Sequence, residues 1–309
     1  MARLNNTTLT GIVISEPKIS RDPETGDYNH AMVPIRVIRS ARNAQDGKTY
    51  AVFSDPIIYT REEDQIREID TWCLNDIVQV EGMFATALMN KSSFCEHCGE
   101  KNRTTGSFAY VQPIFMRVLH SYESYDDALK ELRLWREHSN RFQGIGHLGK
   151  EPKRLVLQSK RGKNIVVCQY PMVLNRLYYV PSDPAEKTND YPWVKSYGKH
   201  CDEDYFRLQK GSGLLLDGFL QVRYVRRHAV CQHCGEAYDW KDSTMEIVPY
   251  EVEYLSNCRS QEEADLLQAK RREQSAKDIM ANLKRQLGLE VNDTGISDGE
   301  VTDASDVEA

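Results

Sequence analysis

The sequence predicts a mainly β protein that contains two copies of one small β-barrel module, each followed by an α-helix. About fifty residues repeat at a constant offset of 136 positions without a gap, which indicates an internal repeat. Both copies contain short runs rich in Val, Ile and aromatic residues, which are typical of strands, and both are followed by a segment with helix start signals. The 309 residues, 40% hydrophobic and 28% charged, suffice for two such globular modules.

The sequence shows neither the pattern of a membrane span nor that of a secretory signal. No apolar run approaches the roughly 20 residues that a transmembrane helix needs. The first twenty residues lack the charged and then apolar pattern of a secretory signal. We therefore expect a cytoplasmic protein without a membrane span. Its eight cysteines are then thiols or metal ligands rather than disulfides.

The net charge of −6 is concentrated at the C-terminus. Residues 290–309 contain seven acidic residues and no Lys or Arg, so removing them leaves +1 for the rest of the chain. Because the acidity lies in one segment, the overall balance does not exclude a polyanionic partner. The Asp, Ser, Gly and Thr content of this segment predicts a disordered tail.

Two pairs of motifs define the repeat. Residues 80–84 (VEGMF) match 216–220 (LDGFL), and the same offset takes 95–100 (CEHCGE) to 231–236 (CQHCGE). Chance agreement of so many glycines and cysteines is improbable. The chain therefore carries two copies of one module.

The repeat divides the chain into five predicted segments. These are a first barrel at 1–122, a linker helix at 123–139, a second barrel at 140–257, a C-terminal helix at 258–289 and the acidic tail at 290–309. Both helices begin with a capping box, Ser124 with Asp127 and Ser260 with Glu263, which satisfies free N–H groups of the first turn. Strands are predicted at 32–38, 77–84, 165–169, 214–225 and 246–254, and internal helices at 61–73 and around 201–208.

The second module carries the most informative motifs. Residues 197–199 (YGK) are followed by 210–212 (KGS) and by 217–223 (DGFLQVR). This order and spacing resembles the bacterial single-stranded DNA-binding protein family, in which aromatic-Gly-Lys, a helix, Lys-Gly-Ser/Asp and Glu-Gly-x-Leu-x-Thr-Arg follow one another. The first module is less similar, since it lacks aromatic-Gly-Lys and has residues 59–61 (YTR) near that place.

The resemblance implies two oligonucleotide/oligosaccharide-binding (OB) barrels per chain and sequence-tolerant binding of single-stranded DNA without enzymatic activity. The process would be DNA replication, recombination or repair, for a phage or mobile element. The resemblance also implies a homo-oligomer, here a dimer, because two chains would supply the family's usual four barrels. In that family an acidic C-terminus recruits replication and recombination proteins. This tail ends in DVEA rather than the family's Pro-Phe, so it can instead compete with DNA for basic residues.

Single-strand binding requires exposed aromatic rings that stack on bases. Tyr197 matches the family's stacking aromatic. For a second ring, the family's spacing of six favours Tyr191, whereas the larger surface favours Trp193. In the first module Phe53 and Tyr59 have the same spacing of six. These four positions and Tyr197 are the predicted stacking residues.

The alternative role for each ring is packing in a barrel core. Trp72 aligns with Leu208 on the predicted internal helix. We expect core packing for Trp72, and both roles stay open for the stacking candidates.

Basic residues cluster where OB barrels hold their ligands. One group lies in the turn between the first two strands of the second module, and another follows the strand at residues 217–222. The candidates for phosphate contact are Lys160, Arg161, Lys163, Arg223, Arg226 and Arg227, with Arg39 and Arg42 in the first module. The alternative is that these cations form an ordinary solvated surface.

The cysteine motifs predict structural Zn²⁺. Cys95 with Cys98, and Cys231 with Cys234, have the spacing of a zinc knuckle with a following Gly for the turn. A redox dithiol shares this spacing, but the thioredoxin-like βαβ context is missing. The simplest hypothesis joins all four thiolates around one ion shared by the two modules. Such a site is closed, so the metal is structural rather than catalytic.

The competing hypothesis gives each knuckle its own ion. Other side chains would then complete each site. The candidates are His97, His233, His228 and Cys258.

Two other functions stay open at the level of sequence. The barrels and the zinc arm could belong to an adaptor that binds proteins, or RNA, rather than single-stranded DNA. A hydrolase would need clustered carboxylates or histidines at an open metal position. The paired Asp126 and Asp127 lie at a helix start, where capping explains them.

Overall fold

The computed structural model describes residues 3–42, 47–158, 164–184 and 187–286. The elements of the first half are β1 (Leu4–Val13), β2 (Lys18–Arg21), β3 (Tyr28–Arg42), β4 (Thr49–Ser54), β5 (Ile57–Thr60), α1 (Glu63–Asp70), β6 (Ile77–Phe94), β7 (Lys101–His120) and α2 (Tyr125–Leu132) with a 3-10 turn (Arg133–Trp135). Those of the second half are β8 (Asn140–Leu148), β9 (Lys153–Gln158), β10 (Asn164–Asn175), β11 (Asn189–Asp190), β12 (Trp193–Tyr197), α3 (Lys199–Arg207), β13 (Gly213–Val230), β14 (Ala237–Ser256) and α4 (Gln261–Gln286).

Each half of the chain closes a five-stranded barrel. In the first barrel β1, β6, β7, β5 and β3 pair in turn, and β3 returns to β1. In the second barrel β8, β13, β14, β12 and β10 pair in the same way, and β10 returns to β8. Along the chain, α1 connects β5 to β6 in the first barrel, and α3 connects β12 to β13 in the second. This arrangement confirms the predicted mainly β chain with two barrels and a helix inside each module.

Matching irregularities show that the two barrels are copies of one design. The ladder shifts register between Glu81 and Gly82, and again between Asp217 and Gly218, at the repeat offset. A Cβ atom on Gly82 would lie 2.2 Å from the Gln112 carbonyl oxygen, and one on Gly218 would lie 2.3 Å from that of Val248. Glycine is required at both bulges because the opposite backbone approaches so closely.

Strands β1 and β8 join the barrels into one sheet. They pair antiparallel, from Leu4 opposite Ile145 to Leu9 opposite Asn140. The side chain of Asn5 donates to the Phe84 carbonyl and accepts its N–H, both at 2.9 Å. Asn140 makes the same two bonds to Leu220, at 2.8 and 2.9 Å. The equal contacts of the two asparagines indicate a pseudo-twofold relation between the barrels.

The hydrophobic core is continuous across this junction. Phe84 of the first barrel meets Phe142 of the second edge to face, with ring centroids 6.4 Å apart, and both rings are fully buried. Trp72 is 3% exposed and Leu208 is fully buried, so the predicted core role of Trp72 is confirmed. The barrels therefore share one folding unit, which spans residues 1–261, and a second compact unit begins at residue 262.

The helices agree with their sequence signals. The Asp127 N–H donates to the Ser124 hydroxyl at 3.2 Å at the start of α2, which confirms the first capping box. Helix α4 is long and mostly exposed. Within the described residues, every helix is too short or too polar to cross a lipid bilayer. The predicted acidic tail at 290–309 lies outside the described residues.

Replacing Asn140 with Ala should weaken the junction between the barrels. The N–H and carbonyl of Leu220 would both lose a buried partner, so we expect the free energy of unfolding to fall by about 2–3 kcal/mol. Urea unfolding followed by circular dichroism measures this loss. Asn6→Ala, on an exposed position of β1, is the control and should change stability by less than about 0.5 kcal/mol. Equal midpoints for the two variants would contradict the structural role of Asn140.

Candidate nucleic-acid interface and metal centre

The hairpins β6–β7 and β13–β14 extend from the barrels as two arms, and a groove runs between them. At its base lies a cavity of about 260 Å³, which we call the basal cavity. It is lined by Thr86, Ser107 and Ala109 of the first arm, by residues of the second arm and by β12. Four predicted site residues line it, namely Tyr191, Trp193, Arg223 and Arg227. The structure therefore brings predicted aromatic and basic residues into one concave site.

The aromatic rings of the basal cavity are available to a ligand. Tyr191 is 59% exposed and Trp193 is 44% exposed. Trp193 begins β12, and its neighbour Val194 points into the core, because successive side chains of a strand alternate between its faces. Both candidates for the second stacking ring are thus exposed in the same cavity.

Tyr197 lies at the other end of β12 and is half-buried. Burial raises the pKa of its phenol, and the nearby Glu246 carboxylate raises it further. Gln221 and Arg223 nearby act in the opposite direction and lower its pKa. Tyr197 is therefore close to the basal cavity but is held by protein groups.

Cations of the basal cavity are oriented by acidic partners. Arg223 Nε lies 3.2 Å from the Glu246 carboxylate, and Lys195 Nζ lies 2.9 Å from Glu246 Oε2. Burial lowers the pKa of Lys195, while its pairing with Glu246 opposes this effect. Arg227 Nε lies 3.3 Å from Asp242. Lys195 was not predicted from the sequence, because it is an isolated Lys in a strand.

Arg226 does not belong to this site. Alternation along β13 turns Arg223 and Arg227 toward the groove and Arg226 toward the opposite face. There its guanidinium lies 3.6 Å from Asp239. The predicted grouping of all three arginines is corrected by the two-residue period of the strand.

Arg39 makes a contact between the barrels rather than lining the groove. Its guanidinium carbon lies 4.1 Å from the centre of the Phe219 ring, a cation–π contact. Burial lowers the pKa of Arg39. The predicted Phe53 is 41% exposed on β4 and is not among the residues that line the basal cavity.

Three predicted cations cannot be placed. Lys160, Arg161 and Lys163 lie outside the described residues.

The register of β5 corrects the equivalence drawn for Tyr59. Ile58 pairs with Val111 in the first barrel, and Val194 pairs with Ile247 at the same offset of 136. Tyr59 is therefore equivalent to Lys195, and Arg61 is equivalent to Tyr197. The error arose upstream of residue 76, where the resemblance is too weak to fix the alignment.

Tyr59 belongs to an aromatic cluster in the first barrel. Its ring lies 4.9 Å from Tyr110 and 5.7 Å from Phe108, centre to centre. Burial raises the pKa of Tyr59. Tyr110, which is 2% exposed, occupies the position of Glu246 in the repeat. The two barrels therefore carry different chemistry at equivalent positions.

The groove continues outward into a distal cavity of about 320 Å³. This cavity shares Ser107 and Arg227 with the basal cavity and adds Lys91 and Trp240. Sequence reasoning missed both added residues. The repeat contained a signal for Lys91, since the offset of 136 aligns it with Arg227.

Another aromatic and basic concavity lies at the connection from β10 to β11. It has a volume of about 350 Å³ and is lined in part by Arg3, Tyr178, Tyr179 and Lys187. Tyr179 is 74% exposed. No motif in the sequence distinguished these residues.

The tips of the arms bring the four predicted cysteines together. The Sγ atoms of Cys95, Cys98, Cys231 and Cys234 all lie within 4.8 Å of one another. Cys95 Sγ is 3.7 Å from Cys234 Sγ, and Cys98 Sγ is 3.6 Å from Cys231 Sγ. In the part of the chain that the structure describes, this is the one such cluster of metal-ligand side chains.

The turns of the knuckles follow their glycines. Gly99 and Gly235 both have φ of +75°, a conformation that favours glycine. Their N–H groups donate to the carbonyls of Cys95 and Cys231, at 2.9 and 3.0 Å. Each turn thus directs its two sulfurs toward the other arm.

The donor set fits a tetrahedral metal ion. Zinc–sulfur bonds of 2.3 Å imply sulfur–sulfur separations of about 3.8 Å, close to those found. The N–H groups of Cys234 and His233 and the Asn102 amide lower the pKa of the Cys231 thiol to about 6, which favours the thiolate that metals bind.

Three of the four additional ligands that the two-ion hypothesis would need have other partners. His97 Nε2 lies 3.2 Å from the Ala237 carbonyl oxygen, and His228 pairs with Asp239. Cys258 donates to the Ser256 carbonyl at 3.2 Å. The geometry therefore agrees with a single site formed by the four cysteines of both arms.

Further contacts hold the arms together below the tips. Lys91 Nζ lies 2.8 Å from Asp242, and both side chains are largely buried. The Ser93 and Tyr238 hydroxyls hydrogen-bond at 2.7 Å. The inter-arm groove therefore has fixed walls.

Comparisons with known proteins give a match in structure. No family model and no curated protein matches the sequence. A deletion mutant of the single-stranded DNA-binding protein from Thermus aquaticus matches over 85% of this chain and 100% of that chain, with a TM-score of 0.52 and 17% identity. This chain has the fold of that protein. The predicted OB architecture is thereby confirmed at the level of fold.

Two other solved structures are similar over parts of the chain. The wild-type Thermus aquaticus protein matches over 84% of this chain and 97% of its own, with a TM-score of 0.48 and 16% identity. The Plasmodium falciparum single-stranded DNA-binding protein, in a complex with single-stranded DNA, covers 39% of this chain and 98% of its own, with a TM-score of 0.30 and 16% identity.

Exposure of Trp193 can be measured by fluorescence quenching. Acrylamide should quench Trp193, which is 44% exposed, far more than Trp72, which is 3% exposed. We expect Trp193→Phe to remove more of the quenchable emission than Trp72→Phe. Equal losses from the two variants would show that Trp193 is not displayed in the groove.

Proposed function

We propose that the protein binds single-stranded DNA, with little dependence on sequence, in the groove between its arms. The observation that carries this proposal is the basal cavity, in which exposed Trp193 and Tyr191 adjoin Arg223 and Arg227. Rings stack on bases of any sequence, and cations neutralise the phosphates between them. The Thermus fold supports the proposal by analogy.

We propose one structural Zn²⁺ at the arm tips. Cys95, Cys98, Cys231 and Cys234 would hold it, and its contribution would be to cross-link the two arms. Four thiolates close the coordination sphere and leave no position for an activated water. We therefore assign the protein a binding role rather than an enzymatic one.

The biological setting follows from the resemblance in sequence. We propose a role in DNA replication, recombination or repair. We also propose a homodimer with four barrels, and interaction of the acidic tail with replication or recombination proteins.

Affinity for an oligothymidine should fall steeply with salt. Bound phosphates displace counterions, so the logarithm of the binding constant falls linearly with that of the salt concentration. Arg227→Ala should weaken binding and reduce this slope by about 1. Titration of intrinsic fluorescence at several salt concentrations measures both quantities.

The matched control is Arg67→Ala, an exposed arginine of α1 that is paired with Glu63 and is not among the residues that line the two cavities of the groove. It should leave affinity and slope unchanged. If the oligothymidine does not bind, or binds no tighter than a duplex, the proposed function is wrong.

The metal content of the purified protein distinguishes the two zinc hypotheses. We expect one zinc per chain, because the four sulfurs form one cluster. Cys98→Ser should release most of it, whereas Cys73→Ser, at an exposed cysteine outside the cluster, should retain it. Metal analysis by mass spectrometry gives the ratio. Two zinc ions per chain would overturn the shared site.

A further inference from the structure

The floor of the basal cavity contains a buried carboxylate. Glu246 is 1% exposed and lines the cavity together with Lys195 and Arg223. Its Oε2 atom lies 2.9 Å from Lys195 Nζ and 3.2 Å from Arg223 Nε. Oε1 lies 3.2 Å from the same Arg223 nitrogen but, among the described residues, accepts no hydrogen bond. The carboxylate therefore has one oxygen that is ion-paired with Arg223 without a hydrogen bond.

A phosphate cannot use this acceptor. Phosphate oxygens accept hydrogen bonds and repel a carboxylate, so the acid itself makes no favourable contact with the DNA backbone. Buried acceptors normally have a donor, and in a single strand the donors are the N–H groups of the base edges. The chemistry of Glu246 thus points to a base rather than to the backbone.

Arg223 covers the carboxylate in the free protein. Its side chain is about one-third exposed, so its guanidinium is accessible to a ligand phosphate. An arginine that turns to a phosphate uncovers Glu246, while Lys195 stays paired with the acid. Phosphate binding and base contact are therefore compatible within one cavity.

Guanine is the base whose Watson–Crick edge matches this site. It presents two adjacent donors, N1–H and the N2 amino group, beside the acceptor O6. The donors suit the carboxylate, and the acceptor suits Lys195 or Arg223. Adenine, cytosine and thymine each place an acceptor beside a donor on this edge, and that acceptor would face the carboxylate unfavourably.

We propose that Glu246 makes the basal cavity a guanine-preferring subsite within an otherwise sequence-tolerant groove. This inference rests on the proposed function and adds a specific contact to it. Trp193 and Tyr191 supply the stacking surface for the base, and Glu246 reads its edge.

The first barrel supplies an internal comparison. At the positions of Glu246 and Lys195 it has Tyr110 and Tyr59, whose rings pack at 4.9 Å. Neither the acid nor its cation is present there. The preference for guanine therefore belongs to the second barrel alone, with one subsite per chain.

The test uses a short oligothymidine in which one central base is replaced. With the full-length protein, we expect a single dG to bind about tenfold tighter than a single dA or dC, the effect of a good two-bond contact to a base. Deoxyinosine, which lacks the N2 amino group, should lose most of the gain. 7-Deaza-dG, which keeps the whole edge, should retain it.

The protein side of the test is Glu246→Gln, which should reduce the ratio of dG to dA affinity to about one. The control is Asp239→Asn, an acid on the same strand that pairs with Arg226 away from the cavity, and it should keep the tenfold ratio. Circular dichroism checks the fold of both variants. If Glu246→Gln does not fold, the affinities of the wild-type protein for the deoxyinosine and 7-deaza-dG oligonucleotides test whether the edge of guanine is read.

The outcomes separate this inference from the proposed function. Tight and equal binding of all the substituted oligonucleotides overturns the guanine subsite and leaves single-strand binding intact. Deoxyinosine that binds as tightly as dG also overturns it. Failure to bind oligothymidine overturns the proposed function and with it the subsite.

Discussion

The pairing of β1 with β8 is the constraint on which the rest of the structure depends. It joins the barrels across a pseudo-twofold relation, which Asn5 and Asn140 repeat bond for bond. Each arm leaves its barrel at an equivalent place, so this relation brings the two arms side by side and their tips to one point. The four sulfurs then fall within 4.8 Å of one another, although neither knuckle has enough ligands for a tetrahedral ion by itself. The inter-arm groove is a product of the same geometry, because its walls come from both arms.

The cations of this groove are held in place before any ligand arrives. Arg223 pairs with Glu246, while Lys91 and Arg227 share Asp242. A flexible cation loses side-chain entropy when it binds a phosphate, and an acidic partner reduces this loss by restricting the side chain beforehand. The same partners lower the local positive charge, so a strand must compete with them. This balance favours binding that is reversible and strongly dependent on salt.

Much of the fold could be predicted from the sequence, because a constant offset of 136 relates motifs whose spacing depends on local chemistry. The bulge glycines and the knuckle cysteines belong to this class. The site was predicted in part: Trp193 and Arg227 were found, whereas the face of Arg226 depends on the exact phase of a strand and Arg39 acts across the junction of the barrels. Tyr59 was aligned with Tyr197 because no motif anchors the first module before residue 76, and only the pairing of Ile58 with Val111 fixes its position.

Carrying both barrels on one chain permits an asymmetry that identical subunits would not allow. Contacts between the barrels recur at the repeat offset with different chemistry: Asp190 accepts the Thr86 N–H at 2.7 Å, and Ser54 accepts the Val222 N–H at 2.9 Å. In the first barrel Tyr110 is buried among rings, whereas the equivalent Glu246 lies in the floor of an open cavity. The two copies of the fold thus differ in which side chains they bury and which they expose. The first barrel supplies a wall and a packed aromatic support, and the second displays the rings and charges that face the groove.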